Sequence, residues 1–171
     1  MRKSALCPLI LAIALVCVGS HLFAQEESQG GELPPLDSFL SADYTLDILA
    51  SRVREGRVSG IPKDKYIMIE GVVSSRQLIQ AGEEDFFGIL EISSGTWSGG
   101  EDLEMYRCYF QLRGSEFAGT IPEARSRSTS PNEIPLHSHL IAFGRYLGYG
   151  EDAEGNRFPV LQAVRIRKLR M

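Results

Sequence analysis

In residues 103–113, LEMYRCYFQLR, every second residue from 106 to 112 is apolar, and a more mixed set of side chains lies between them. In an extended chain, neighbouring side chains point to opposite sides. One side of this stretch carries the apolar members of the pattern, namely Tyr106, Cys108, Phe110 and Leu112. Such alternation predicts a β-strand with one buried face. Similar runs predict four more strands, at residues 66–73, 86–93, 140–147 and 158–169.

The connections between these strands indicate how they are arranged. Residues 94–100 form a glycine-rich link, whereas residues 115–135 are long, polar and interrupted by three prolines. We expect at most one short helical turn in the long link, near residues 123–125. Five strands with the longest connection between the third and the fourth are typical of a small Greek-key barrel. The predicted fold class is therefore all-β.

One helix is predicted before the barrel. Apolar residues recur at spacings of three and four, which places them on one face of a helix: Leu46, Leu49, Ala50 and Val53. Ser41 or Asp43 is expected to cap its start. Gly56 and Pro62 are expected to end it.

Three stretches resemble the first, fourth and fifth strands of an OB-fold domain: IEGVV at 69–73, IAFGRY at 141–146 and PVLQAVRI at 159–166. The resemblance is narrower to the anticodon-binding-like OB domains of exported bacterial proteins of unknown role, and it covers residues 65–169. It implies a five-stranded OB-type barrel, and the amphipathic helix predicted from the spacing of apolar residues precedes this barrel. Gly71 and Gly144 fit this fold, since small barrels need strands that bend sharply.

The first 24 residues have the layout of a secretory signal peptide. Arg2 and Lys3 precede an apolar run at 6–18, and Ala24 stands before polar Gln25. Cleavage is expected after Ala24, or alternatively after Ser20. The predicted organisation is a signal peptide at 1–24, a flexible tether at 25–37, a helical segment at 38–60 and the barrel domain at 61–171.

This layout predicts a protein exported to the periplasm or the cell exterior, with no transmembrane span in the mature chain. Lipid anchoring at Cys17 is the alternative, although Val16 fits poorly before a lipidated cysteine. The mature chain would keep Cys108 alone, which we expect to be buried and unable to form an internal disulfide.

Charge bears on the choice of partner. Without Arg2 and Lys3, the chain holds 16 basic and 22 acidic residues, a net charge of −6. An acidic protein is a poor general partner for nucleic acid, so this balance disfavours an oligonucleotide.

No catalytic or metal-binding pattern stands out. His137 and His139 lack nearby residues that would complete a zinc site. The segment 151–156 resembles part of a calcium loop without its distal glutamate, and hairpin-turn chemistry explains it equally well. We therefore expect a protein that is not an enzyme and has no metal or cofactor.

Binding is the stronger hypothesis. OB folds present the outer face of their second and third strands to oligonucleotides or oligosaccharides. On this face and in the adjoining loops we expect five candidate binding residues: Trp97, Met105, Arg107, Tyr109 and Tyr149. The alternative is that Met105 and Tyr109 pack beneath the predicted helix, whose apolar stripe must be buried somewhere.

The sequence thus favours a non-catalytic exported binding module with a protein or glycan ligand. Two alternatives are an assembly or adaptor domain of the cell envelope, which joins a larger complex, and an oligonucleotide-binding OB domain.

The export prediction is tested by mass spectrometry of the full-length chain expressed in a bacterium. We expect the protein outside the cytoplasm with Gln25 as its first residue, because the peptidase cleaves after the small residue that ends the signal. Replacing Leu11 in the apolar run by arginine should leave the uncut chain in the cytoplasm. A wild-type chain that keeps residues 1–24 and stays in the cytoplasm would show that the prediction is wrong.

Overall fold

A computed structural model describes residues 35–100, 102–123 and 130–169. The predicted signal peptide, the two cleavage positions, Cys17 and nearly all of the predicted tether lie outside these ranges. The elements in chain order are α1 (Leu36–Phe39), β1 (Leu40–Ser41), α2 (Leu46–Arg54), β2 (Tyr66–Gln80), β3 (Phe87–Ser98), β4 (Asp102–Arg113), β5 (His139–Glu151) and β6 (Arg157–Lys168).

Strands β2 to β6 form a closed barrel. The strand order is β2-β3-β4-β6-β5, and pairing between β2 and β5 closes it. Neighbouring strands are antiparallel except β4 and β6, which pair in parallel at Tyr109–Gln111. The two-residue strand β1 adds to β2 in parallel. This arrangement is an all-β OB-type barrel with a short helix, so the predicted fold class is confirmed.

Closure of the barrel depends on the way β2 changes partner. Tyr66–Val72 pairs with β5, and from Val72 onward the same strand pairs with β3. Gly71 lies at this crossing, where an added Cβ would come within 2.7 Å of the Ser93 carbonyl oxygen. Only a residue without a side chain allows the two backbones to approach so closely.

Helix α2 buries the predicted apolar stripe. Leu49 and Val53 are completely buried, and the helix packs mainly against β4 and β6. The expected caps are wrong, because α2 begins after Thr45. Ser41 belongs to β1, where its backbone pairs with Ile67 and is not free to start a helix.

The connection between β4 and β5 closes part of the core, and its described residues, 114–123 and 130–138, contain no regular α-helix. Residues Ser115–Phe117 form a single 3-10 turn. Thr120 accepts a backbone hydrogen bond from Ile134, which joins the two ends of the connection. The predicted helical turn near residue 123 is not formed at Glu123, and residues 124–129 lie outside the description. The side chains that this connection adds to the core are Phe117, Ile121 and Ile134.

Most strands are longer than predicted. β2 extends to Gln80, β5 extends to Glu151, and residues 94–98 continue β3 instead of forming a loop. The alternating pattern marks only the residues over the core, whereas hydrogen bonding continues where both faces are exposed. Among the described residues, no helix has the length and apolar character needed to cross a membrane.

The close approach at Gly71 can be tested with Gly71→Ala. The new methyl group would contact the Ser93 carbonyl and the Ile92 side chain, so we expect a loss of about 1–3 kcal/mol in the free energy of unfolding. Urea denaturation measures this loss. The matched control is Gly82→Ala, whose added Cβ would meet only ordinary contacts with Asp85, and it should change stability by less than about 0.5 kcal/mol. Equal stability of both variants would contradict the proposed role of Gly71.

Candidate binding face

The β3–β4 hairpin extends beyond the barrel as a two-stranded ribbon. β2 pairs with β3 only as far as Ser93, and the paired part of β6 reaches β4 only at Tyr109–Gln111. Among the described strands, residues 94–98 therefore pair only with residues 102–106. Two-stranded ribbons are marginally stable alone in water, so side-chain packing across the ribbon contributes to its order.

Three large apolar side chains lie together on the outer face of this ribbon and are called the ribbon patch: Trp97, Leu103 and Met105. They are 68%, 48% and 55% exposed. Trp97 is directly opposite Leu103 in the register, and Met105 is opposite Gly95. Leu103 and Met105 both lie over Gly95, within 3.0 Å of the place where its Cβ would be. A contiguous exposed apolar group of this kind is typical of a binding surface.

A second group, the ring cluster, lies further along the same face and consists of Arg107, Tyr109, Phe158, Glu91 and Asp152. The Tyr109 and Phe158 ring centroids are 4.4 Å apart at an interplanar angle of 49°. The Arg107 guanidinium lies 5.5 Å from the Phe158 centroid and donates a hydrogen bond to the Asp152 carboxylate. The Tyr109 hydroxyl donates to Glu91 at 2.8 Å.

Protonation in the ring cluster follows from these contacts. Burial, followed by the hydrogen bond to Glu91, raises the pKa of Tyr109 to about 12, so its phenol is neutral at physiological pH. Partial desolvation works to raise the pKa of Asp152, but hydrogen bonds from Asn156 and Arg107 outweigh it and hold that pKa below its usual value. Asp152 is therefore an anion that faces Arg107.

The five predicted binding residues fall into three places. Trp97 and Met105 belong to the ribbon patch, and Arg107 and Tyr109 belong to the ring cluster. Tyr149 lies on the other side of the β5–β6 hairpin, because it is opposite buried Pro159 whereas Phe158 faces outward over Gly150. Tyr149 therefore lies apart from the other four candidate residues.

The alternative that the helix covers Met105 and Tyr109 is also not what the structure shows. Met105 is exposed, and Tyr109 packs against Phe158. Helix α2 instead meets the inward side of β4, where the Arg54 guanidinium lies 5.6 Å from the ring centroid of buried Tyr106. The outer face of β3 and β4 is left open by α2.

Several members of the site were not predicted, namely Leu103, Phe158, Asp152 and Glu91. Their positions depend on the register between strands that are distant in sequence. Leu103 had a local indication, since it lies two residues before Met105 in the alternating stretch. Phe158 and Asp152 come from the β5–β6 hairpin, and no local pattern places them beside Arg107.

Other chemistry is not assembled in the described part of the chain. Cys108 is fully buried, as expected, and burial raises the pKa of its thiol. Within these residues, no group of three His, Cys, Asp or Glu side chains converges on a metal-sized site. Asp152 Oδ1 accepts hydrogen bonds from the backbone N–H groups of Glu154 and Asn156, as in an ordinary hairpin turn.

No family model and no curated protein matches the sequence. Solved structures with a similar strand arrangement include a small single-stranded DNA-binding protein from Mycoplasma pneumoniae, with 12% identity, a TM-score of 0.38, and coverage of 60% of this chain and 90% of that one. A Plasmodium falciparum SSB complex with ssDNA has 9% identity, a TM-score of 0.41 and coverage of 61% and 94%. A mitochondrial single-stranded DNA-binding protein from S. cerevisiae has 12% identity, a TM-score of 0.34 and coverage of 61% and 94%. At such low scores, the OB-type assignment rests on the strand order and register of this chain.

The contacts of Asp152 predict an acid-dependent loss of stability. Because its pKa is below the ordinary 3.8 in the folded state, Asp152 contributes stability above that pH, and the contribution is lost as the pH falls through the lower folded value. Asp152→Asn should therefore show a smaller loss of unfolding free energy than the wild type between about pH 5 and about pH 3. Urea denaturation at each pH measures this loss.

Glu151→Gln is the control for this series, since Glu151 makes only an exposed ion pair with Arg157. It should keep the wild-type slope. The proposed role of Asp152 fails if Asp152→Asn follows the wild-type curve throughout the acid range.

Proposed function

We propose that this protein is a non-catalytic binding module that holds a single-stranded oligonucleotide on the outer face of β3 and β4. The observation that carries the proposal is the alignment of the Trp97 ring, the Tyr109–Phe158 ring pair and the Arg107 guanidinium on one side of the barrel. Aromatic rings stack on bases with little dependence on sequence, and arginine adds cation–π contacts. OB-type barrels use this face for oligonucleotides.

The shape of the face supports an extended ligand. Leu103, which is paired with Trp97, is six residues before Tyr109 on the same strand. At the rise of a β-strand, this separation is about 20 Å. The ribbon patch and the ring cluster can therefore contact different parts of one strand-like ligand.

The charge on the face is balanced, because Glu91 and Asp152 offset the two arginines there. The net charge of −6 describes the whole mature chain, whereas the ligand meets the local surface. The outward residues of β3 and β4 include two cations, Arg107 and Arg113, and Arg107 already faces Asp152. Stacking should consequently contribute more to affinity than neutralisation of phosphates.

A protein partner is the second candidate function, and the ribbon patch favours it. Leu103 and Met105 are exposed and apolar, and Met and Trp are enriched at protein interfaces. Residues 94–98 and 102–106 also have outer backbone edges that are not paired with another described strand. An added strand could pair with either edge. This candidate corresponds to an adaptor role.

Under the predicted export, the protein would meet either ligand in the periplasm or at the cell exterior. That location is part of the proposal and rests on residues 1–24 alone.

The oligonucleotide proposal is tested by titrating residues 25–171 into labelled oligothymidylate and measuring fluorescence anisotropy. Trp97→Ala should weaken binding about 5- to 150-fold, which corresponds to the loss of one stacked base at about 1–3 kcal/mol. Trp97→Phe should restore most of the affinity. Leu147→Ala is the control, because Leu147 is an exposed apolar residue on β5, outside the proposed face, and its loss should leave binding unchanged.

The salt dependence of the same titration distinguishes stacking from phosphate contacts. Because Arg107 is already paired with Asp152, the logarithm of the affinity should fall with the logarithm of salt concentration with a slope no steeper than about −1.4, the value for two phosphate contacts. Absence of binding at low salt would overturn the proposal. The protein candidate would then be tested by photo-crosslinking from position 103 in cells, where Met105→Glu should remove one discrete adduct.

A further inference from the structure

The turn between β5 and β6 is built around one carboxylate, that of Asp152. Its Oδ1 accepts hydrogen bonds from the backbone N–H groups of Glu154 at 3.1 Å and Asn156 at 2.8 Å. Its Oδ2 accepts a third, from the side-chain amide of Asn156 at 3.1 Å. The Asp152 N–H also donates to the Asn156 carbonyl, and Gly155 has the positive φ of 82° that the turn requires. The turn is therefore held by its own hydrogen bonds.

Arg107 joins this turn to β4. Its Nη2 donates a hydrogen bond to Oδ2 of Asp152, which is 45 residues away in sequence. The side chain of Arg107 is 40% exposed and that of Asp152 is 20% exposed. The same guanidinium lies 5.5 Å from the Phe158 centroid, beside the rings on which a base would stack. The ion pair thus lies at the surface of the ring cluster, with the guanidinium as its more open partner.

A carboxylate and a phosphate bind an arginine in the same way. Both offer anionic oxygens to the N–H groups of the guanidinium, and both form charge-assisted hydrogen bonds. A phosphate that approaches Arg107 therefore meets a cation that already holds an anion of the protein, and the Asp152 carboxylate repels it. The phosphate gains its contact only as the carboxylate gives up its own.

We propose that Asp152 competes with a phosphate of the ligand for Arg107, so that the β5–β6 turn lowers the affinity of the outer face of β3 and β4 for an anionic strand. This inference rests on the proposed function and adds a means of regulating it. Exchange of one anion for another at Arg107 releases few counterions, because the displaced carboxylate takes up a cation as the phosphate gives one up. Asp152 thereby makes affinity depend on stacking and not on charge.

The test compares Asp152→Asn with the wild type by titrating the purified protein into labelled oligothymidylate over a range of salt concentrations. The asparagine amide oxygen can accept the backbone hydrogen bonds of the turn, but it offers Arg107 no charge. We expect affinity at about 0.1 M salt to rise about two- to fivefold, the effect of freeing one exposed ion pair. The salt slope should steepen from about −0.7, for a phosphate contact at Arg113 alone, to about −1.4, for contacts at both arginines.

Three comparisons assign this gain to Arg107 and to phosphate. In the double variant Asp152→Asn/Arg107→Gln, the slope should return to about −0.7, because the freed guanidinium is gone. An oligothymidylate with uncharged methylphosphonate linkages should bind Asp152→Asn and the wild type equally. Glu151→Gln removes the same charge from the same hairpin, but Glu151 pairs with Arg157, so this matched control should keep the wild-type slope.

The outcomes separate this inference from the proposed function. If the wild type binds oligothymidylate and Asp152→Asn has the same affinity and slope, the inference alone is wrong. It is also wrong if the gain persists in the double variant or is equal with the uncharged strand, since Arg107 or phosphate would then play no part. If neither protein binds at low salt, the proposed function fails and this inference fails with it.

A second variant keeps the test decisive if Asp152→Asn does not fold. Asp152→Ser also removes the charge, and a serine hydroxyl can accept the hydrogen bonds of the turn. It should show the same steeper slope, and a folded serine variant with the wild-type slope would overturn the inference.

Discussion

The close approach of two backbones at Gly71 is the constraint on which the rest of the structure depends. At this point β2 leaves β5 and continues along β3, with the Ser93 carbonyl where a side chain would otherwise be. This bend allows one long strand to pair with β5 along its first part and with β3 along its second, and the barrel then closes with five strands. Closure buries the inward side chains of every strand, and it also determines which parts of the hairpins extend past the core.

The open binding face is a consequence of that closure. Since β2 pairs with β3 no further than Ser93, the end of the β3–β4 hairpin has no third described strand to cover it. Trp97, Leu103 and Met105 are exposed for this reason, and α2 cannot cover them because it packs against the inward side of β4 near Tyr106. The β5–β6 hairpin, in contrast, adds Phe158 and Asp152 to the face, where they order Arg107 and Tyr109.

The polar groups of the ring cluster determine what a ligand can gain there. In the ring cluster, each charged or hydroxyl group already has a protein partner, so a ligand there gains mainly from stacking.

The sequence by itself determined the fold class, the approximate positions of the five strands and the buried stripe of α2. These features follow from periodicity, because a residue's place in a repeat of two or 3.6 decides whether it faces the core. Periodicity also placed Arg107 and Tyr109 on the outer side of β4. Periodicity could not show that Tyr149 lies apart from the other candidates or that the strands continue beyond the core. It also could not show that Asp152 and Phe158 lie beside Arg107. Only the tertiary structure decided those points, since they depend on strand register and on the bend at Gly71, which join residues far apart in the chain.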